Sequence, residues 1–471
     1  MSDLSQINPD WHSVSIELLK NPFDLDLWQQ LVHCATYSNG VVLDKTASDA
    51  QVHLLRVSFD SLLHQYPLLS KYWTAYAEWE FKLGFIERAN TVYLKGLTYV
   101  GFDLSYWLDY LRFKLRVIGD DTQEVLELFE EARLRIGFNF HASDFYLLYL
   151  SFLRSYATKD NGYYEKSIWL IRSTVEIPLY NYSLLFREMM EVINPKSLTF
   201  NNLHLLIPDS QLKTWKTQTK NNLSTISKRL EKTFTDAYVV NQYKSYQIYS
   251  FEKNIVSALY YDNHVLSTNQ IESWKQYLDF AEQNHTFSYV CQLYERSLVS
   301  TAKYCTIVLK FVDYLVSQKK FSMCRQILRK FISVNPSRND VKLLIRLVDL
   351  EVYLGYFERA RDIVVNYLAL NKTAPNCIYS KLFEVESMFH FEGDDEYLSG
   401  LALQIIRQTK SLDVLSRIST RMSESMLARL LSCLNAEYDK LDSEMKRLPM
   451  FSKERLSIIR SAYPNQKKLE D

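Results

Sequence analysis

Two segments near opposite ends of the chain carry the same charged box. Residues 80–89 read EFKLGFIERA and residues 351–360 read EVYLGYFERA. Each places a glutamate (Glu80, Glu351), a Leu-Gly pair and an aromatic ahead of Glu-Arg-Ala, with Arg88-Ala89 in the first box and Arg359-Ala360 in the second. A carboxylate and a guanidinium at that spacing could read the charge of a partner. They could equally pair with each other and fix the angle between two helices. Recurrence favours the pair, because a fold-keeping role repeats whenever the fold does. An exposed pair of this kind contributes only about 0–1 kcal/mol. Catalytic chemistry has no comparable footing. The nine histidines are scattered, with no HExxH and no His–Cys cluster. Cys34, Cys291, Cys305, Cys324, Cys377 and Cys433 form no CxxC pair and no zinc spacing, so they read as buried thiols of a reducing compartment. Neither GxxxxGK[ST] nor GxGxxG occurs. The expectation is a non-enzyme with no cofactor and no metal.

The elements that must hold these boxes are helices. Trp73, Tyr76 and Glu80 fall at i, i+3 and i+7, one face of a helix. Gly84 supplies a left-handed stop. Ala89, Tyr93 and Gly96/Leu97 then share one face of a second helix, and the small Ala89 lets the two helices approach. Trp107 and Tyr110 restart the pattern, with Lys114 in the place of the glutamate. Phe145–Leu153 follows, with Tyr146 and Tyr149 in the ring positions. Later come Trp274 and Tyr277, then Val308 and Phe311, then Leu344, Leu347 and Glu351 with Gly355, then Tyr379, Leu382 and Glu386. A two-helix unit recurring every 34–39 residues is the mark of a helical repeat protein, here of roughly seven to nine units.

Composition agrees. Of 471 residues only 10 are Gly and 10 are Pro, which leaves little for hairpins or phosphate-cradling loops. Aromatics make up 14%, enough to fill the gaps between stacked helices. The formal net charge of zero argues against a chain whose main task is to neutralise phosphates. No run of about 18 apolar residues suggests a membrane span, and MSDLSQINPDW lacks the pattern of a signal peptide. The expected organisation is a repeat domain over 1–195, a linker with a basic helix over 196–233, a second repeat domain over 234–440 and a charged tail over 441–471. Within the linker, Lys213, Lys216, Lys220, Lys228 and Arg229 are candidates for RNA contact, a solvated helix face being the plainer reading. In the second repeat domain Tyr353, Phe357, Tyr367, Tyr379 and Phe383 supply more rings than each helix pair needs, which makes them candidates for a dimer interface.

The W-x-x-Y-x-x-x-E first helix with an E-R-A-x-x-x-[YV] second helix resembles the half-a-TPR (HAT) repeat. YPLLSKYWTAYAEWEFKLG (66–84), HASDFYLLYL (141–150), VEIPLYNYSLLF (175–186), YKSYQIYSFEKNI (243–255) and STNQIESWKQYLDF (267–280) resemble the pre-mRNA-processing factor thirty-nine and forty-two family, with the fungal forty-two branch the nearer. That resemblance implies an all-α, right-handed superhelical solenoid of HAT (TPR-like) helix pairs in two halves. It also implies a nuclear, non-catalytic scaffold of the U1 small nuclear ribonucleoprotein, acting at 5′ splice-site recognition. The implied partners are a second copy or a related HAT-repeat protein, and core and peripheral U1 proteins. Contact with RNA would be indirect or weak. The departures Lys114 and Val308, and the eroded last repeats, bear on whatever those repeats contact.

Overall fold

The computed structural model describes residues 9–430, except 39–40, 120–121, 159, 201, 220–221, 256–265, 335–340, 372–373, 390–394, 410, 424 and 428. The expected tail over 441–471, with Cys433, His264, His390 and Lys220, lies outside the described residues. The chain divides into two compact units at Ile307/Val308. The first begins with α1 (Pro9–Lys20), α2 (Leu25–Thr36) and a two-residue hairpin of β1 (Tyr37–Ser38) and β2 (Val41–Val42). There follow α3 (Asp49–Gln65), α4 (Ser70–Lys82), α5 (Ile86–Val100), α6 (Leu104–Arg116), α7 (Thr122–Ile136), α8 (Ser143–Ser155), α9 (Tyr163–Thr174) and α10 (Tyr182–Val192). The short α11 (Leu203–Leu206) and α12 (Asp209–Thr219) lead into the long α13 (Leu223–Glu252), then α14 (Thr268–Asn284) and α15 (Phe287–Thr301). The division falls within α16 (Cys305–Ser317). The second unit continues with α17 (Phe321–Val334), α18 (Val341–Tyr353), α19 (Phe357–Leu370), α20 (Asn376–Phe389), α21 (Asp395–Thr409) and α22 (Leu412–Ser419).

Local chemistry sets the helix starts. Asp24, Asp103 and Asn222 accept backbone N–H groups at the N-caps of α2, α6 and α13. Ser48 with Gln51 and Ser267 with Gln270 form reciprocal capping boxes at α3 and α14. Neighbours in sequence then pack as neighbours in space, α4 with α5 and α19 with α20 among them.

The core of the first unit is built of rings. Phe59 on α3 stacks on Tyr76 on α4 at 5.0 Å, and Tyr93 on α5 stacks on Tyr110 on α6 at 4.8 Å. Phe129 on α7 stacks on Tyr149 on α8 at 4.7 Å, and Phe251 on α13 stacks on Tyr277 on α14 at 5.3 Å. The repeated tyrosine is therefore the seat for a ring from the preceding helix. Each such pair contributes about 0.5–1.5 kcal/mol beyond its burial.

The segment 196–233, expected as a linker, packs as part of the first unit. Leu198, Leu203, Leu206, Leu212, Ile226 and Leu230 are buried in the same core as α3 to α10. Ser227 donates to the Ile193 carbonyl (2.6 Å) and Asn241 to that of Ile177 (2.8 Å), which ties α13 back onto the helices before it. Further on, Gln292 of α15 donates to the Leu134 carbonyl (2.6 Å) and accepts from the Phe138 N–H (2.9 Å). Polar composition concealed this, because only one side of each of these helices is apolar.

Candidate functional site

The recurring functional group is a buried glutamate clamped by an arginine from the helix before it. Glu80 on α4 is fully buried. Arg56 on α3 grips it with two bonds, Nε to Oε1 at 2.7 Å and Nη2 to Oε2 at 2.8 Å. Glu351 on α18 is likewise buried, and Arg325 on α17 takes both its oxygens at 2.6 and 2.9 Å. Arg361 on α19 reaches Glu386 on α20 at 2.6 Å. In all three the arginine precedes the glutamate by 24 to 26 residues. It follows directly on a wholly buried residue, Leu55, Cys324 or Ala360. The hydrogen bonds to carboxylate hold the Arg56, Arg325 and Arg361 guanidinium groups above their ordinary range.

The expected pairing within a box is met in the first box and not in the second. Arg88 does lie 3.2 Å from Glu80, but as the second and half-exposed partner. In the other box Arg359 lies over the ring of Tyr356 at 4.8 Å, and Glu351 belongs to Arg325. The clamp therefore locks one helix pair to the next. Bidentate guanidinium–carboxylate geometry fixes direction as well as distance.

The Leu-Gly-aromatic part of the box completes the clamp. Gly84 and Gly355 have φ of +95° and +78°, the left-handed region that closes a helix. The next N–H turns back to the glutamate's own carbonyl, Phe85 to Glu80 at 2.8 Å and Tyr356 to Glu351 at 2.9 Å. The turn then lays its aromatic against the clamping arginine, Arg56 over Phe85 at 4.7 Å and Arg325 over Tyr356 at 5.5 Å. Between α16 and α17 the same backbone bonds recur, and Lys319 (φ 57°) holds the glycine place.

Two positions vary the theme. Lys114, at the glutamate place of α6, is buried and bonds Glu124 at 2.6 Å, while the arginine place holds Asn90, which accepts from the Tyr110 hydroxyl. On α13, Glu252 is gripped by Arg296, which follows it in sequence, at 2.6 and 2.8 Å. Tyr277 donates to the same carboxylate at 3.1 Å, and His141 stands 3.8 Å away. Burial lowers the tendency of His141 to protonate, with Glu252 opposing. The tryptophans also have an anchoring rule. Trp28, Trp73 and Trp107 each donate their indole N–H to the carbonyl six residues earlier, of Pro22, Pro67 and Gly101, at 2.7–2.9 Å. Trp28 thereby puts α2 in the place of α4 and α6, so that α2 and α3 form a first repeat.

Of the expected signature positions the ring, alanine and glutamate places are core, whereas Gly84, Arg88, Gly355 and Arg359 are exposed. Trp73, Tyr76, Ala89, Tyr93, Trp107, Tyr110, Trp274, Tyr277 and Ala360 are all buried, and burial raises the Tyr76 phenol to about 12. Of the candidate dimer residues, Phe383 is 1% exposed and lies in the core of the second unit, so it is withdrawn as a contact. Phe357, Tyr367 and Tyr379 are half-buried, Tyr367 and Tyr379 packing on that core, and Tyr353 is 73% exposed. Of the basic candidates, Lys213 and Lys228 are exposed and Lys216 and Arg229 half-buried. Sequence reasoning missed Arg56, Arg325 and Arg361. The signal was present: an arginine 24 to 26 residues ahead of each signature glutamate.

Sequence profiles place this arrangement among known proteins. The PRP39 N-terminal HAT repeat matches residues 13–191, and the PRP39 C-terminal HAT repeat matches residues 246–387. Pre-mRNA-processing factor 39 of Schizosaccharomyces pombe is 26% identical over 66% of this chain and 52% of its own length. The U1 small nuclear ribonucleoprotein component PRP42 of Saccharomyces cerevisiae is 24% identical over 79% of this chain and 73% of its own. The chain thus spans about half the length of the first relative and about three quarters of the second. The crystal structure of CstF-77 overlaps 83% of this chain at a TM-score of 0.41 and 10% identity, too low to add to the assignment. With both repeat regions matched in order over about two thirds of its residues, the chain belongs to the PRP39/PRP42 family of HAT-repeat proteins.

Proposed function

We propose that this chain is a non-catalytic scaffold of the U1 small nuclear ribonucleoprotein, acting in the nucleus in pre-mRNA splicing at 5′ splice-site recognition. One observation carries the reading. The charged residues that recur are spent on joining helix pairs, which leaves the solenoid surface, and not a reactive centre, as the working part. Membership of the PRP39/PRP42 family supports the particle, and the relative named as a U1 component supports it further. The scaffold works through contacts with core and peripheral U1 proteins and through a dimer, with a second copy or a related HAT-repeat chain. Tyr353 is the exposed anchor we assign to that dimer.

The test is a tagged pull-down from nuclear extract at moderate salt, with RNA sequencing and mass spectrometry of the eluate. Recovery of U1 RNA, its core proteins and a second HAT-repeat chain is the expected result. Recovery of 3′-end cleavage factors or pre-ribosomal proteins in their place would move the scaffold to another RNA-processing complex. For the dimer, Tyr353→Asp should lower the mass in solution; an unchanged dimer would place the interface elsewhere.

A further inference from the structure

The basic stretch over α12 and the start of α13 takes no part in the clamps, yet it is a built surface. Its apolar side is fixed, since Leu212, Ile226 and Leu230 lie in the core of the first unit. The other side is thereby held as a rigid helical face. Lys213, Lys228 and Lys232 are exposed on these helices, Lys216 and Arg229 are half-buried, and Lys196 is exposed in the turn that precedes α11. Two of these cations are pinned. Lys216 Nζ stands 5.4 Å from the ring centre of Phe200. Arg229 lies 6.0 Å from that of Trp215 and donates to Gln218 Oε1 at 2.8 Å. A cation already held in place loses less rotamer freedom when an anion arrives. Between the cations stand uncharged hydrogen-bonding side chains, Thr214, Thr217, Ser224 and Thr225, all exposed. The acidic residues of these turns are Asp209 and Glu231.

We propose that this face binds the phosphate backbone of RNA without sequence preference. Protein partners are held by apolar and aromatic anchors driven into pockets. Over this stretch the large exposed apolar side chain is Phe200, and Lys216 covers it. Trp215 is covered in turn by Arg229, so the two large rings of this stretch are both capped by cations, and sequence-tolerant phosphate contact remains the main mode. The formal net charge of the whole chain is zero, so no overall cationic charge supplies the attraction and it must come from local clusters of this kind.

The experiment uses the full chain and a fluorescein-labelled, mixed-sequence, single-stranded RNA of 20 nucleotides, with anisotropy read between 50 and 200 mM KCl. Each phosphate neutralised contributes about −0.7 to the slope of log K against log salt, so the cations of this face set a limit near −4. The Lys213→Ala/Lys228→Ala/Lys232→Ala variant should flatten that slope by about 2 and weaken binding at 50 mM at least about tenfold. A second RNA of unrelated sequence should bind equally well. Should the alanine variant melt early, Lys→Gln at the same positions reads the same effect. Absence of binding at 50 mM, a flat salt dependence, or a variant that binds like the parent overturns the proposal. So does polyglutamate competing as well as RNA, which would make the occupant an acidic protein. The proposal is independent of the scaffold reading: a variant that loses RNA in this assay and still recovers U1 proteins separates the two.

Discussion

The core around α3 to α13 and the core around α18 to α22 solve one packing problem with different materials. In the first, rings from successive helices stack face to face, with Tyr76, Tyr110 and Tyr149 each seated against a ring from the helix before. In the second the buried side chains are Leu, Val, Ile and Ala, with Phe383 the one ring among the buried residues of that cluster. The clamp is common to both. Glu80 and Glu351 are buried to the same degree and gripped by an arginine in the same geometry. Ring filling and helix-pair locking are therefore separable. The first can drift toward aliphatic side chains while the second is kept.

The strongest test of that separation is to remove the clamp arginine in each core. Breaking a buried ion pair from one side costs about 3–5 kcal/mol, because the other charge is left without a partner. Arg325→Ala should reach that range, since it strips Glu351 of both its bonds. Arg56→Ala should cost clearly less, because Arg88 remains 3.2 Å from Glu80. Urea midpoints, with hydrogen exchange on α4 and α18 to localise the loss, decide it. Equal losses would mean that Arg88 gives no cover.

Ring filling is tested by changing a phenylalanine to leucine in each core. Phe129→Leu removes stacking on Tyr149 and on Phe152 and should cost about 1–3 kcal/mol. Phe383→Leu loses no stacked ring among the described residues and should stay below about 1.5 kcal/mol. Thermal melts of the two variants suffice, and a larger loss at Phe383 would reverse the contrast.

The same contrast explains what could be read from the sequence. Helices, their pairing and the repeat spacing were legible because Trp73, Tyr76, Trp107 and Tyr110 show the 3.6-residue period in large, unmistakable side chains. The second unit was harder, since Val308, Leu344 and Leu382 fill the ring places with residues that any helix core uses. The clamp was half legible. Its glutamates stand inside a motif, whereas Arg56 and Arg325 sit on the preceding helix, and a contact between two helices leaves no short-range mark. The expected linker failed for another reason: α12 and α13 bury one narrow stripe, and the many Lys, Thr and Asn around it dominate the composition.

Lys114 offers a way to rebuild what the sequence lost. Asn90 precedes it by the interval that separates Arg56 from Glu80. Lys114→Glu alone sets a buried carboxylate near Glu124, and Asn90→Arg alone sets a guanidinium near Lys114, so each single change should destabilise. Together they restore the clamp, and a double-mutant cycle on urea midpoints should return a favourable coupling of about 1 kcal/mol or more. Strict additivity would mean that the α5–α6 junction has lost the geometry along with the charges.

The smallest effect lies in the turns. Gly84, Gly355 and Lys319 occupy one backbone position with φ of +95°, +78° and 57°. A side chain there costs roughly 1–2 kcal/mol, as its Cβ crowds the following carbonyl. A Cβ on Gly84 or Gly355 would meet no atom within 4 Å, so backbone conformation alone sets the penalty for Gly→Ala. Lys319→Gly relieves the same strain, but glycine also frees the unfolded chain, which returns about 0.4–1 kcal/mol. The net should be a stabilisation below about 1 kcal/mol, seen as a slightly raised urea midpoint for α16 and α17. A loss on Lys319→Gly would show that the lysine side chain makes up for its own strain, and that the absence of glycine here is a compensated change in the turn.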